Sequence, residues 1–90
     1  MKRITIQVTG KVQGVFYRAS TVTKAQQLNL KGFVRNEPDG NVCIEAQGDE
    51  EKLNELIAWC RIGPPRARVD EVVVETQATL AGFSDFRILR

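Results

Sequence analysis

The chain has 90 residues, of which 42% are apolar and 27% are charged, and this is the size and composition of one compact globular domain. Thirteen basic residues against 11 acidic ones give a net charge of +2. Because the two signs are interspersed, the charge favours neither a nucleic acid nor a membrane as partner. We expect a single domain over residues 1–90, with no signal peptide or membrane span, in the cytoplasm.

The chain contains two cysteines, Cys43 and Cys60, and no histidine. Two thiols are too few for a disulfide scaffold, and a zinc site without histidine would have few suitable ligands. The neighbouring residues include no obvious group that would stabilise a thiolate, so both side chains are interpreted as packed residues without chemistry. We expect no metal and no cofactor.

The first half of the chain predicts a strand, a helix and a hairpin. Isoleucine and valine alternate with polar residues in RITIQVTG, which is the period of a half-buried strand. From about Arg18 to Asn29 there is no proline or glycine, and apolar residues fall near the spacing of one helical face. The short runs KGFVRN and NVCIEAQG flank the turn signal EPDG, so they are interpreted as two strands of a hairpin. The predicted inner face of the helix consists of Tyr17, Thr21, Ala25 and Leu28.

The second half predicts a helix and two further strands. Leu53, Leu56, Ile57 and Cys60 recur at helical spacing after an acidic first turn, and GPP follows them. RVDEVVVE is a β-branched run, and FSDFRILR predicts one more short strand. The complete order predicts an α+β, ferredoxin-like split βαβ fold, with two helices on one face of an antiparallel sheet of strand order 4-1-3-2.

This topology brings two distant segments to one edge of the sheet. The first and second strands run parallel in it, so their carboxyl ends lie on the same side, roughly 10 Å apart across the third strand. The first strand leads into GKVQGVFYR, and the second ends at Asn36. The topology alone therefore leaves room for a small-ligand site at this edge.

The segment GKVQGVFYR has the features of an anion-binding loop. Gly10 and Gly14 would let backbone N–H groups turn inward, and the following helix start adds further unpaired N–H groups. Arg18 could bind two phosphate oxygens at once. The residues alone also allow a plain turn with a solvated arginine, since neither common phosphate-binding glycine motif is present. In the same way, Asn36 could be an ordinary turn residue before EPDG.

GKVQGVFYR, GFVRN, DGNVCIEAQG and GPPRARVDEV resemble, in order and spacing, segments of the acylphosphatases, which are small metal-independent hydrolases of carboxyl-phosphate anhydrides. The resemblance covers nearly the whole chain. It implies that Arg18 is the essential arginine and that Asn36 positions the attacking water. Tyr17 stands where many members have phenylalanine, which leaves the partner of its hydroxyl open. The phosphate-binding loop implied by the resemblance comprises Gln13, Gly14, Val15, Phe16, Tyr17 and Arg18.

The implied reaction suits a chain without histidine. An acyl phosphate has a good carboxylate leaving group, so its hydrolysis needs positioning and charge stabilisation more than a strong base or a metal. The expected partner is a small-molecule acyl phosphate, with inorganic phosphate or sulfate as a competing anion. We expect a monomer that binds no nucleic acid and no membrane.

Two alternatives use the same fold without catalysis, because a fold does not decide function. One is an RNA-binding module, since KGFV begins like an RNA-recognition signature, but Val34 and Arg35 stand where that signature needs a small residue and an aromatic one. The other is a carbamoyl-phosphate or anion-binding module, because acylphosphatase-like domains also occur within larger maturation factors. We expect no such further domain here.

Overall fold

The computed structural model describes residues 1–89, which form five strands and two helices. These elements follow each other in the order that the sequence predicts, and each boundary lies within a few residues of the predicted one. The elements are β1 Lys2–Lys11, α1 Tyr17–Gln27, β2 Lys31–Asn36, β3 Val42–Gly48, α2 Glu50–Cys60, β4 Arg68–Gln77 and β5 Phe86–Ile88.

The strands form one sheet in the order β4-β1-β3-β2-β5. Strand β3 is antiparallel to β1 and to β2, and β4 is antiparallel to β1. The predicted split βαβ fold and the order 4-1-3-2 are confirmed, with one correction to the sheet. The short last strand extends the order beyond β2 and runs parallel to β2, with Val34 opposite Ile88, so the sheet is mixed and not antiparallel.

Both helices pack on the same face of the sheet. Alternate residues of β1, namely Ile4, Ile6 and Val8, are buried in one core together with residues of both helices. The predicted inner face of α1 is buried along its whole length. Helix α2 begins where the Asp49 carboxylate accepts a hydrogen bond from the amide of Glu51, which satisfies one of the free donors of the first turn. Neither described helix is long and apolar enough to cross a membrane.

Both cysteines are buried with free thiols, as the sequence predicts. Burial raises the pKa of the Cys60 thiol to about 12, and burial also raises the pKa of the Cys43 thiol. Both groups therefore stay protonated at neutral pH. Among residues 1–89, no three histidine, cysteine, aspartate or glutamate side chains lie close enough together to hold a metal ion.

Gly10 has a different place from the one that the sequence suggests. It lies inside β1, and not in the loop after it, at a register shift against β4. Its φ is 126°, and a Cβ atom built on it would lie 2.2 Å from the carbonyl oxygen of Arg68. Glycine is needed here because the backbones of two strands approach too closely for a side chain.

The close approach of the β4 backbone to Gly10 leads to a prediction about stability. We expect Gly10→Ala to lower the free energy of unfolding by more than about 2 kcal/mol, because the methyl group meets backbone and the φ is strained for alanine. The matched control is Gly82→Ala, since a Cβ atom at Gly82 has no neighbour within 4 Å. Urea denaturation of both variants measures the effect, and equal midpoints would contradict this account of Gly10.

Candidate active site

The segment after β1, residues 12–16, is anchored by two valines and turned by two left-handed residues. Val12 and Val15 are buried in the core, while Gly14 has a φ of 74° and Phe16 a φ of 66°. The first hydrogen bond of α1 runs from the amide of Ser20 to the carbonyl of Phe16, at 3.0 Å. Within residues 1–89, the amides of residues 13–19 donate to no acceptor. The loop and the helix start thus present a continuous run of free N–H donors.

A cavity of about 300 Å³ opens beside these amides. Gly14, Phe16 and Arg18 line it from the loop and the start of α1, and Asn36 lines it from the end of β2. The structure therefore brings together the two segments that the topology predicted to meet. Tyr17 also lines the cavity, and further lining comes from Val12, Ala19 and Ile88.

Arg18 is the second residue of α1 and borders the cavity. None of the salt bridges formed within residues 1–89 includes its guanidinium. An arginine at a helix start lies next to the positive end of the helix dipole, which does not favour a cation there. Since no salt bridge among the described residues neutralises it, the charge of Arg18 is available to an anion in the cavity.

Asn36 is the last residue of β2 and pairs with Val42 of β3. Its side-chain oxygen is buried and has no hydrogen-bond partner within residues 1–89. A buried acceptor without a donor costs roughly 1–3 kcal/mol, so a residue of this kind needs a partner from outside the chain. Asn36 lines the cavity, so a rotation of its side chain would bring this oxygen to a water molecule or a ligand there that can donate the hydrogen bond.

The partner of the Tyr17 hydroxyl is the carbonyl oxygen of Cys60, to which it donates at 2.7 Å. Cys60 ends α2, so this bond satisfies one of the carbonyls that a helix end leaves unpaired. Burial raises the pKa of Tyr17, and the hydroxyl therefore remains a donor. The ring also packs on Trp59, with centroids 5.4 Å apart. Tyr17 thus fixes the start of α1 against the end of α2.

The Gln13 side chain binds a hairpin turn and does not line the cavity, a feature that sequence reasoning missed. Its Nε2 donates to the carbonyl oxygens of Glu37, at 2.8 Å, and Asn41, at 2.9 Å. These carbonyls belong to the turn that directly follows Asn36. Gln13 therefore ties the loop after β1 to the hairpin that carries Asn36. The partners lie 24 and 28 residues away, and no local sequence pattern signals such a contact.

The other residues of the predicted loop divide between core and cavity. The Val15 side chain lies in the core, whereas Gly14, Phe16, Tyr17 and Arg18 line the cavity. Ile88 lines it too, and the sequence could not indicate this because the pairing of β5 was not predicted. The loop amides, and not its side chains alone, form the donor set.

The fold and the cavity together define a small ferredoxin-like α+β domain with a loop of free amides before its first helix. A family model described as acylphosphatase matches residues 4–88. An acylphosphatase of Methylococcus capsulatus is 51% identical over 90 residues, which cover 100% of this chain and 98% of that relative. The chain belongs to the acylphosphatase family, whose members are hydrolases that act on small-molecule acyl phosphates.

Solved structures agree with this assignment. The crystal structure of an acylphosphatase from Bacillus subtilis superposes with a TM-score of 0.97 at 33% identity and covers 100% of both chains. A structure of an acylphosphatase from Coxiella burnetii superposes with a TM-score of 0.94 at 40% identity, covering 98% of this chain and 92% of that one. The family resemblance inferred from the sequence segments is therefore confirmed.

The two hydrogen bonds of Gln13 make a prediction about turnover. Gln13→Glu keeps the side-chain shape but sets a carboxylate against two carbonyl oxygens. At about pH 7.5 we expect hydrolysis of an acyl phosphate to fall roughly 10- to 100-fold, because the hairpin that carries Asn36 is no longer held. Burial and repulsion from the carbonyls raise the pKa of the new carboxyl. At about pH 5 the rate relative to wild type should partly recover, since a protonated carboxyl donates one hydrogen bond.

A matched control is Gln47→Glu. Gln47 also binds a backbone segment, donating to the carbonyl of Ala81 at 3.0 Å and accepting from its amide at 2.7 Å, but it lies outside the cavity. This variant should lose stability and keep its turnover. Wild-type turnover of Gln13→Glu at every pH would show that Gln13 does not position the site.

Proposed function

We propose that the chain hydrolyses acyl phosphates to a carboxylate and inorganic phosphate in the cavity between residues 12–18 and Asn36. One observation within residues 1–89 carries the proposal: the free amides of Gly14 and residues 16–19, Arg18 without a salt bridge and Asn36 with its partnerless side-chain oxygen all belong to residues that line one cavity. These groups differ in charge and donor type, so they can hold a phosphoryl group and a water molecule side by side.

The phosphoryl group binds to the amides of residues 13–18 and to Arg18. Backbone N–H groups at a helix start are suited to a tetrahedral anion, because donors and dipole point the same way. Arg18 adds a planar fork that matches two phosphoryl oxygens. Since these donors are fixed before the substrate arrives, they stabilise charge in the transition state without reorganising.

Asn36 orients the water. Its side-chain oxygen accepts a hydrogen bond from the water, and its amide does not titrate near neutral pH. The water oxygen attacks phosphorus on the side opposite the leaving group. As the new P–O bond forms, the bond between phosphorus and the acyl oxygen breaks, and the carboxylate leaves with the electron pair. The phosphate product carries both protons of the water, as H2PO4−, and exchanges them with solvent. The carboxylate is a good leaving group, so positioning and charge stabilisation supply most of the catalysis.

The test of this function compares two classes of phosphate. Phosphate release is measured from benzoyl phosphate and from phenyl phosphate, each with and without a chelator. We expect rapid hydrolysis of the acyl phosphate, unchanged by the chelator, and almost none of the ester, whose leaving group needs stronger activation. Inorganic phosphate should inhibit competitively, because it takes the place of the phosphoryl group. Chelator-sensitive turnover, or equal rates on both substrates, would contradict the proposal.

Two alanine variants separate the roles of Arg18 and Asn36. Arg18→Ala should weaken the binding of inorganic phosphate and reduce turnover by roughly 10³-fold or more, because it removes a charge that contacts the phosphoryl group. Arg18→Lys should restore little, since a single ammonium does not replace the fork. Asn36→Ala should reduce turnover by at least about 10²-fold and leave phosphate affinity near wild type. Phosphate dissociation constants and single-turnover rates measure the difference.

The matched controls for these variants are Arg66→Ala and Asn54→Ala, which remove the same side chains at exposed positions outside the cavity. Both controls should behave as wild type in binding and turnover. The assignment of Asn36 to the water would be wrong if Asn36→Ala lost phosphate binding as severely as Arg18→Ala, or if it kept full turnover.

A further inference from the structure

Phe16 has a backbone conformation that its side chain does not favour. Its φ of 66° and ψ of 20° are left-handed, a region that bulky residues rarely occupy. Two other residues have a positive φ that suits their type. Gly14, in the same loop, has a φ of 74°, and Asn29 has a φ of 57°, and glycine and asparagine both tolerate the left-handed region. Phe16 is thus the one bulky residue with a left-handed backbone among residues 1–89. A glycine at this position would give the loop the same course without strain.

Packing within the chain does not explain the phenylalanine. Its side chain is 70% exposed and lies outside the buried core. The aromatic pairs formed within residues 1–89 join other rings. Phe16 lines the cavity and its side chain is exposed, so the ring is accessible to a molecule that enters there.

The cavity has room for more than a phosphate ion. Its volume of about 300 Å³ is at the lower end of the range of small-molecule pockets, which are shaped for whole ligands. The phosphoryl oxygens need only the amides and Arg18. Space beside Phe16 remains for the other end of the substrate, the acyl group.

The direction of the displacement reaction decides which wall meets the acyl group. Attacking water and leaving group lie on opposite sides of phosphorus. Asn36, which holds the water in the proposed function, ends β2, and Ile88 lies opposite Val34 on the adjoining strand. The strand side of the cavity is therefore the water side. The acyl group leaves on the side away from Asn36, and Phe16 is the exposed apolar residue that lines the cavity from the loop.

We propose that Phe16 binds the acyl group and selects acyl phosphates with an apolar, above all aromatic, acyl substituent. This inference rests on the proposed function. An aromatic acyl group stacks on the phenyl ring and loses exposed apolar surface. A charged acyl group would be set against an apolar ring and lose hydration without a partner.

Binding of non-hydrolysable analogues tests this directly. Phenacylphosphonate and acetonylphosphonate share the phosphonate end and differ only in a phenyl or methyl substituent. We expect the wild-type chain to bind the phenyl compound about tenfold more tightly, given what partial burial of a ring contributes. In Phe16→Ala the ratio of the two dissociation constants should fall to about twofold or less. The ratio within one variant cancels any change in the phosphate loop itself.

A second variant, Phe16→Gly, separates binding from folding. Glycine relieves the backbone strain, so the free energy of unfolding should stay at or above that of wild type while the preference for the phenyl compound is lost. Loss of stability in Phe16→Gly would show that the ring serves the fold, and it would overturn the proposal.

The matched control is Ile62→Ala, which removes an apolar side chain that is 75% exposed and lies outside the cavity. Its ratio should equal that of wild type. An unchanged ratio in Phe16→Ala would overturn the proposal, and so would an equal loss in Ile88→Ala. If wild type bound both phosphonates equally, the proposal of an acyl subsite would be wrong, while the proposed phosphate site would be supported. If neither phosphonate nor inorganic phosphate bound, the proposed phosphate site and the proposed acyl subsite would both be wrong.

Discussion

Strand β3 lies between β1 and β2 and is antiparallel to both, so β1 and β2 run parallel although they are separated by a helix. Their carboxyl ends therefore meet at one edge of the sheet. The loop after β1 and Asn36 at the end of β2 come together through this strand order alone, with no direct bond between β1 and β2. The Gln13 side chain then fixes their relative position, because it binds the turn that follows Asn36.

Several of the described residues around the cavity have polar groups without hydrogen-bond partners or a strained backbone. The amides of residues 13–19, within the described chain, have no acceptor, the Asn36 oxygen has no donor, and Phe16 holds a strained backbone. Each feature costs stability, and the well-packed core beneath, with Val12 and Val15 as anchors, offsets these costs. A loop that was fully hydrogen-bonded within the chain would be more stable and would have fewer donors left for an anion.

The alternation in β1, the helical face of α1 and the EPDG turn predicted the fold, because each is a local pattern that burial of one face enforces. The same patterns placed Arg18 and Asn36 at one edge, and the family segments indicated their roles. Three features needed the folded chain. The parallel pairing of β5 depends on a contact with β2 far away in sequence, the strain at Phe16 depends on the exact course of the loop, and Gly10 is required by the approach of β4.

The bridge from Gln13 to the hairpin turn also sets an order of events during folding. Its acceptors, the carbonyls of Glu37 and Asn41, reach their positions only when β2 and β3 have paired and β3 has joined β1. Because these contacts are non-local, we expect the loop to take its final conformation late in folding. If the loop contacts are absent from the transition state, an anion bound in the proposed site will slow unfolding more than it speeds folding. We then expect an occupied cavity to lengthen the lifetime of the native chain.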